Sequence, residues 1–136
     1  PNDVDTLLQV AVCLVYLGFL DEALELYQKA LRLNPFGQEQ HHVYGSFIYF
    51  ELGEYQKALE LAHVGMTVPR WVDLPAFIAA AYFHLGEPAR ALEYWTLYRK
   101  MHREKITGGE EVSASLALEW MQFVNPFRGN TRLQPF

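Results

Sequence analysis

The side chains of this 136-residue chain that could bind a metal or move a proton are five histidines, sixteen carboxylates and one cysteine. His41 and His42 are adjacent, so on a helix they point about 100° apart and share one ion poorly. His63, His84 and His102 each stand alone, no two histidines are four residues apart, and Cys13 has no second thiol to join it. No metal site is expected. The carboxylates Asp21, Glu22, Glu25, Glu54, Glu60, Glu87 and Glu93 fall at helix starts and outer faces, where the helix dipole favours negative charge. Acid–base catalysis needs two such groups converging in an enclosed pocket, and nothing in their spacing demands it. Thr107-Gly108-Gly109 is too short to cradle a phosphate and lacks the following Lys and Ser/Thr of a P-loop. The expectation is a chain with no catalytic residues and no cofactor, hence not an enzyme.

Cys13 lies among apolar neighbours and reads as a buried, inert thiol. A lone cysteine excludes an internal disulfide framework and fits a reducing compartment, so a cytoplasmic setting is expected. Hydrophobic residues make up 51% and charged residues 20%, the balance of a folded domain rather than a disordered one. The formal charge of -5 argues against general attraction to nucleic acid or an anionic membrane. The longest apolar run, Val10 to Leu20, is too short to span a bilayer, and no basic leader precedes it. Pro1-Asn2-Asp3 reads as a loop between two repeats, so the chain is expected to be a piece of a longer protein. The cluster Arg99-Lys100-Met101-His102-Arg103-Glu104-Lys105 could meet an acidic partner, but it reads first as a solvated helix end at the negative pole of the dipole.

The elements that would position these groups are written in a repeat. Leu17-Gly18-Phe19-Leu20-Asp21-Glu22-Ala23-Leu24-Glu25 returns as Leu52-Gly53-Glu54-Tyr55-Gln56-Lys57-Ala58-Leu59-Glu60 and again as Leu85-Gly86-Glu87-Pro88-Ala89-Arg90-Ala91-Leu92-Glu93. The turn glycines are 35 and 33 residues apart, a period that means stacked helical repeats rather than one closed globule. Seven helices are predicted, over about 4–17, 21–33, 38–52, 55–68, 73–85, 88–105 and 110–124. Each first helix of a pair ends at a glycine, which supplies the left-handed conformation of a helix stop. Asp21 and Asp73 are placed as N-caps. In the second pair, Gly45, Ser46, Ala58, Ala62 and Gly65 are the small residues that let helices approach closely.

These residues resemble the tetratricopeptide repeat. Repeat one supplies Leu7, Ala11, Leu14, Gly18, Ala23, Tyr27, Ala30 and Pro35 of its pattern; repeat two supplies Tyr49, Gly53, Ala58, Ala62, Gly65 and Pro69. Repeat three supplies Ala79, Tyr82, Gly86, Ala91 and Trp95, but Tyr98 replaces the last small residue and no proline closes it. The resemblance implies an all-α, right-handed α-α superhelix in a single domain over 1–136. Its parts would be repeats at about 4–35, 38–69 and 73–105, a capping helix at about 110–124 and a tail at 125–136. A narrower likeness lies in Leu31-Arg32-Leu33-Asn34-Pro35-Phe36, Tyr49-Phe50-Glu51-Leu52-Gly53-Glu54-Tyr55, and Leu118-Glu119-Trp120 with Asn125-Pro126-Phe127-Arg128. These phrases are similar to the C-terminal repeat region of bacterial adenylate/guanylate cyclase-type and winged-helix transcriptional regulators. That likeness implies the regulatory part of a larger signalling protein, although Gly129 to Phe136 departs from its pattern.

In the tetratricopeptide family the first helix of each pair lines an inner groove. Transferred by aligning the turn glycines, the groove positions are Leu8, Val12 and Tyr16, then Val43, Phe47 and Phe50, then Ala80, Phe83 and His84. Asp5, Gln40, Asp73 and Ala76 complete the aligned set, which is aromatic and aliphatic with acidic edges. Lysine and asparagine are absent from these positions, which argues against the family's carboxylate clamp. An apolar groove suits a protein or peptide with an apolar segment anchored on Phe47, Phe50 and Phe83, or self-association into a homodimer. A stand-alone scaffold built on the same repeats is the alternative function.

Overall fold

The computed structural model of the chain describes residues 3–35, 39–67 and 71–124. Among these residues seven helices follow in order: α1 Val4–Leu17, α2 Leu20–Leu33, α3 Glu39–Glu51, α4 Tyr55–Gly65, α5 Leu74–His84, α6 Pro88–Lys105 and α7 Ala114–Val124. There is no strand among the described residues. The tail from Asn125 onwards lies outside them, as do Phe36 and Pro69.

The three turn glycines make the same stop. Gly18, Gly53 and Gly86 have φ of 89°, 80° and 78°, a region open to glycine at little cost. In each case the glycine N–H donates to the carbonyl three residues back. The next N–H donates to the carbonyl five back, as Phe19 does to Leu14 at 2.9 Å and Glu87 to Tyr82 at 2.9 Å. This pair of bonds satisfies the last carbonyls of the helix and turns the chain sharply into the second helix.

The starts differ more from expectation. Asp3 caps α1, its carboxylate accepting the Asp5 N–H at 3.2 Å and the Thr6 hydroxyl at 2.9 Å. Helix α2 begins one residue before Asp21, with Phe19 as its uncapped N-cap, so Asp21 sits inside the first turn. Its role there is favourable charge against the dipole rather than a capping bond. Asp73 does hold the N-cap place of α5, yet its side chain makes no capping bond. Helix α4 ends at Gly65, three residues short of the predicted 68. Helix α7 starts at Ala114 rather than about 110, because Ser113 Oγ accepts the Leu116 N–H at 3.2 Å and sets the start there.

Packing follows the repeat. Helices α1, α3 and α5 lie side by side in one row; α2 and α4 each pack against their own first helix and the first helix of the next repeat. One apolar cluster joins α1 and α2 to Ile48, and a second runs from Val43 through α4, α5 and α6 to Ala117 and Met121 of α7. Small residues set the spacing at two of these contacts. A Cβ on Gly45 would overlap the ring and hydroxyl of Tyr27, and one on Gly65 would overlap Val43. Gly45 therefore admits the Tyr27 ring of the preceding repeat as well as Leu61 of α4 in its own pair.

Cys13 is exposed, which corrects the expectation of a buried thiol. It lies on the side of α1 facing away from α3 and α2, where no described helix covers it.

Candidate functional site

The inner face is built from α1, α3 and α5, and their close side-by-side packing divides the nine expected groove residues. Leu8, Val43 and Ala80 are 0% exposed, Phe50 1% and Phe47 3%, so these five belong to the core. The ring of Phe77 explains two of them, with its centroid 4.6 Å from that of Phe47 and 5.3 Å from that of Phe50. A partner could reach neither phenylalanine without prising α3 from α5. This corrects the picture of an open groove floored by Phe47 and Phe50.

Four of the nine reach the surface. Val12, Tyr16 and His84 are half-buried, and Phe83 is exposed. His84 stacks on Tyr55, with ring centroids 4.6 Å apart and planes 8° apart, and Phe83 stands edge-on to it at 5.9 Å. These two residues belong to the α5 end of the face, together with exposed Leu85.

Tyr16 marks the other centre. Burial pushes its hydroxyl up to about 12, and the carboxylate of Asp73, at the start of α5, adds to the shift, followed by Cys13 and Tyr44. Tyr44 of α3 meets Trp71, just ahead of α5, edge-on at 5.9 Å and 82°. Tyr16, Tyr44 and Trp71 are all half-buried, and so is Asp73. All three repeats thus contribute to one patch of partly exposed aromatic rings with a carboxylate beside it. Tyr16 and Asp73 were legible as groove residues from the repeat register. Tyr44 and Trp71 were missed, since Trp71 lies before the helix and Tyr44 occupies a position usually counted as facing the preceding repeat.

Polar groups elsewhere hold helices together. His63 of α4 has Nε2 3.1 Å from the Tyr82 hydroxyl, which also accepts from Arg90 Nη1 at 3.4 Å, and Tyr94 stacks on the Tyr82 ring at 5.6 Å. This cluster ties α4, α5 and α6. His41 Nε2 lies 3.2 Å from Asp5 Oδ1, linking α3 to α1. Among the described residues no three His, Cys, Asp or Glu side chains gather as a metal site would require.

Burial holds the pKa of His63 below the usual histidine value, with the Arg90 guanidinium adding to the effect. Burial and then Arg99 do the same for His102. In the unfolded chain both titrate near about 6.5. Between the folded and unfolded values the unfolded chain holds more protons, so stability is full above the unfolded pKa and falls as pH drops through it. The urea midpoint is accordingly expected to be lower at pH 5.5 than at pH 8. His63→Gln should narrow that difference; equal midpoints for the parent chain would refute the linkage.

Stacked helix pairs with a glycine stop in each repeat define a class of helical solenoid. The family model for the tetratricopeptide repeat matches residues 15–107, more than half of the chain. The chain belongs to the tetratricopeptide repeat family. Such repeats generally mediate protein–protein interaction and are typically non-enzymatic. Among the described residues no helix is long and apolar enough to cross a membrane.

Proposed function

We propose that this chain binds a protein segment on its inner face, at the aromatic patch formed by Tyr16, Tyr44 and Trp71 with Val12 and Asp73 at its border. The observation that carries the reading is the edge-on Tyr44–Trp71 pair left half-exposed on the row of first helices. Aromatic rings of this kind offer large contact area at small entropic cost, and tyrosine and tryptophan are enriched among the residues that dominate binding energy. The occupant is a peptide with an apolar segment. Asp73 favours a donor or a cation at one end of it, and Phe83 and His84 extend the surface along α5.

The wider setting we propose is the regulatory part of a larger bacterial signalling or transcription-regulating protein, acting in the cytoplasm. The phrases around Leu31 to Phe36 and Leu118 to Arg128 support it. Segment capture here would alter the output of a domain carried elsewhere in that protein.

The test is a binding screen of defined amphipathic and extended peptides, read by fluorescence anisotropy. Tyr44→Ser with Trp71→Ser is expected to weaken a bound peptide at least about tenfold, the scale of an aromatic hot spot. Helical circular dichroism should be retained. Unchanged affinity in a folded variant would remove the patch from the site.

A further inference from the structure

Charge is divided between the two rows of helices. Among the described residues every lysine and arginine lies on a second helix, α2, α4 or α6. The first helices, which build the inner face, carry none. They hold Asp5, Glu39 and Glu51, with Asp3 and Asp73 at the N-cap places of α1 and α5. His41, His42 and His84 are the only side chains of this row able to take up a proton and turn positive. The sign of the inner face is therefore negative, in the same sense as the chain's formal charge of -5.

On that row the Tyr44–Trp71 pair presents two ring planes at 82° to one another, with centroids 5.9 Å apart. The face of an aromatic ring is the negative part of its quadrupole and attracts a cation lying within about 6 Å of the centroid, more strongly as water is excluded. Tyr16, Tyr44 and Trp71 are half-buried, so a group seated among them would keep only part of its hydration. Asp73 follows Trp71 by two residues and its carboxylate acts on the Tyr16 hydroxyl, so it brings a full negative charge to the same patch. The fold already uses this chemistry on its other side. Arg90 Cζ lies 5.6 Å from the centroid of the Tyr82 ring, and the same guanidinium donates to the Tyr82 hydroxyl. Arginine suits such a place better than lysine, because its planar guanidinium stacks on a ring while its N–H groups still donate in their own plane.

We propose that the inner face selects a basic partner segment and holds it by an arginine, the guanidinium seated among Tyr16, Tyr44 and Trp71 with Asp73 beside it. The apolar side chains of the segment then run on along α5 towards Phe83. A row of first helices without lysine or arginine steers such a segment in and turns acidic ones away, which gives specificity and a faster encounter as much as affinity. The proposal rests on the aromatic-patch reading and adds to it the charge and the chemistry of the anchor.

Heteronuclear NMR of the isotope-labelled chain tests it. The indole N–H of Trp71 is read apart from those of Trp95 and Trp120, with Trp71→Phe fixing the assignment. The probes are N-acetylarginine methylamide and its citrulline counterpart, which has nearly the same shape and lacks the charge. The arginine probe is expected to shift the Trp71 signal and to bind at least about threefold more tightly than the citrulline probe, the scale of a cation on an aromatic face. Added salt should shrink that advantage. So should Asp73→Asn, which keeps the side chain's shape at a position where it makes no capping bond. Equal affinity for the two probes would overturn the proposal, as would no shift at Trp71 or one no larger than at Trp95 and Trp120. A preference for arginine that survives Asp73→Asn in full would overturn it too. N-acetylleucine methylamide separates this proposal from the reading beneath it: if that probe alone shifts Trp71, the patch takes apolar segments and only the arginine anchor falls. Peptide affinity unchanged in the folded Tyr44→Ser, Trp71→Ser variant would instead remove the patch itself.

Discussion

Phe47→Ala is expected to lower the free energy of unfolding by about 3–5 kcal/mol, the usual cost of deleting a buried aromatic ring. Phe47 is 3% exposed and its ring lies against Phe77 of the next repeat, so the cavity would open between α3 and α5. Phe83→Ala is its control. Phe83 lies in the same aligned groove set but is 43% exposed, and its loss should change stability by only about 0.5 kcal/mol. Urea unfolding of the two variants decides the matter. Similar small costs for both would mean that Phe47 is accessible to a partner after all.

The second large effect is expected at Tyr98. Its side chain is 0% exposed, its hydroxyl donates to the Ala117 carbonyl, and its ring packs with those of Trp95, His102 and Trp120. In repeats one and two this position holds Ala30 and Gly65, where small residues let neighbouring helices close up. Here a tyrosine fills the space and reaches α7. Tyr98→Ala should cost about 3–5 kcal/mol. It should also free α7, shift Trp120 emission to longer wavelength and speed cleavage by protease around residues 106–113. Tyr98→Phe, which leaves the Ala117 carbonyl without its donor, should cost about 1 kcal/mol and keep α7 in place. If the alanine variant kept its tryptophan emission and protease resistance, Tyr98 would not be what holds α7.

Much of the backbone was legible because its signals are local. The stop at Gly18, Gly53 or Gly86 depends on one residue's freedom at positive φ, and the span of α6 on Pro88 and a long helical pattern. The places where expectation slipped are also local but subtler. Ser113 caps α7 in the ordinary way and was overlooked beside the more conspicuous Gly108-Gly109 break. Asp21 looked like a cap, yet the hydrogen-bonded turn at Gly18 and Phe19 had already fixed where α2 begins.

The candidate site was legible only in part. The repeat register gives which positions should face inwards, and of these Val12, Tyr16, Asp73, Phe83 and His84 reach the surface. It does not say how closely the first helices lie, and that distance decides whether an inward residue meets a partner or its neighbour. Because Phe77 reaches over α3, Phe47 and Phe50 became core; because Trp71 sits ahead of α5, Tyr44 gained a partner outside the register.

By itself the amino-acid sequence determined the period, the turns, the pairing of helices and hence the family, since each rests on short-range chemistry repeated three times. Only the tertiary structure decided which apolar residues remain at the surface. Exposure is set by neighbours distant in the chain: Cys13 and Val10 stay open because no described helix stands where α2 stands for α3, and Tyr98 is buried because α7 returns to it.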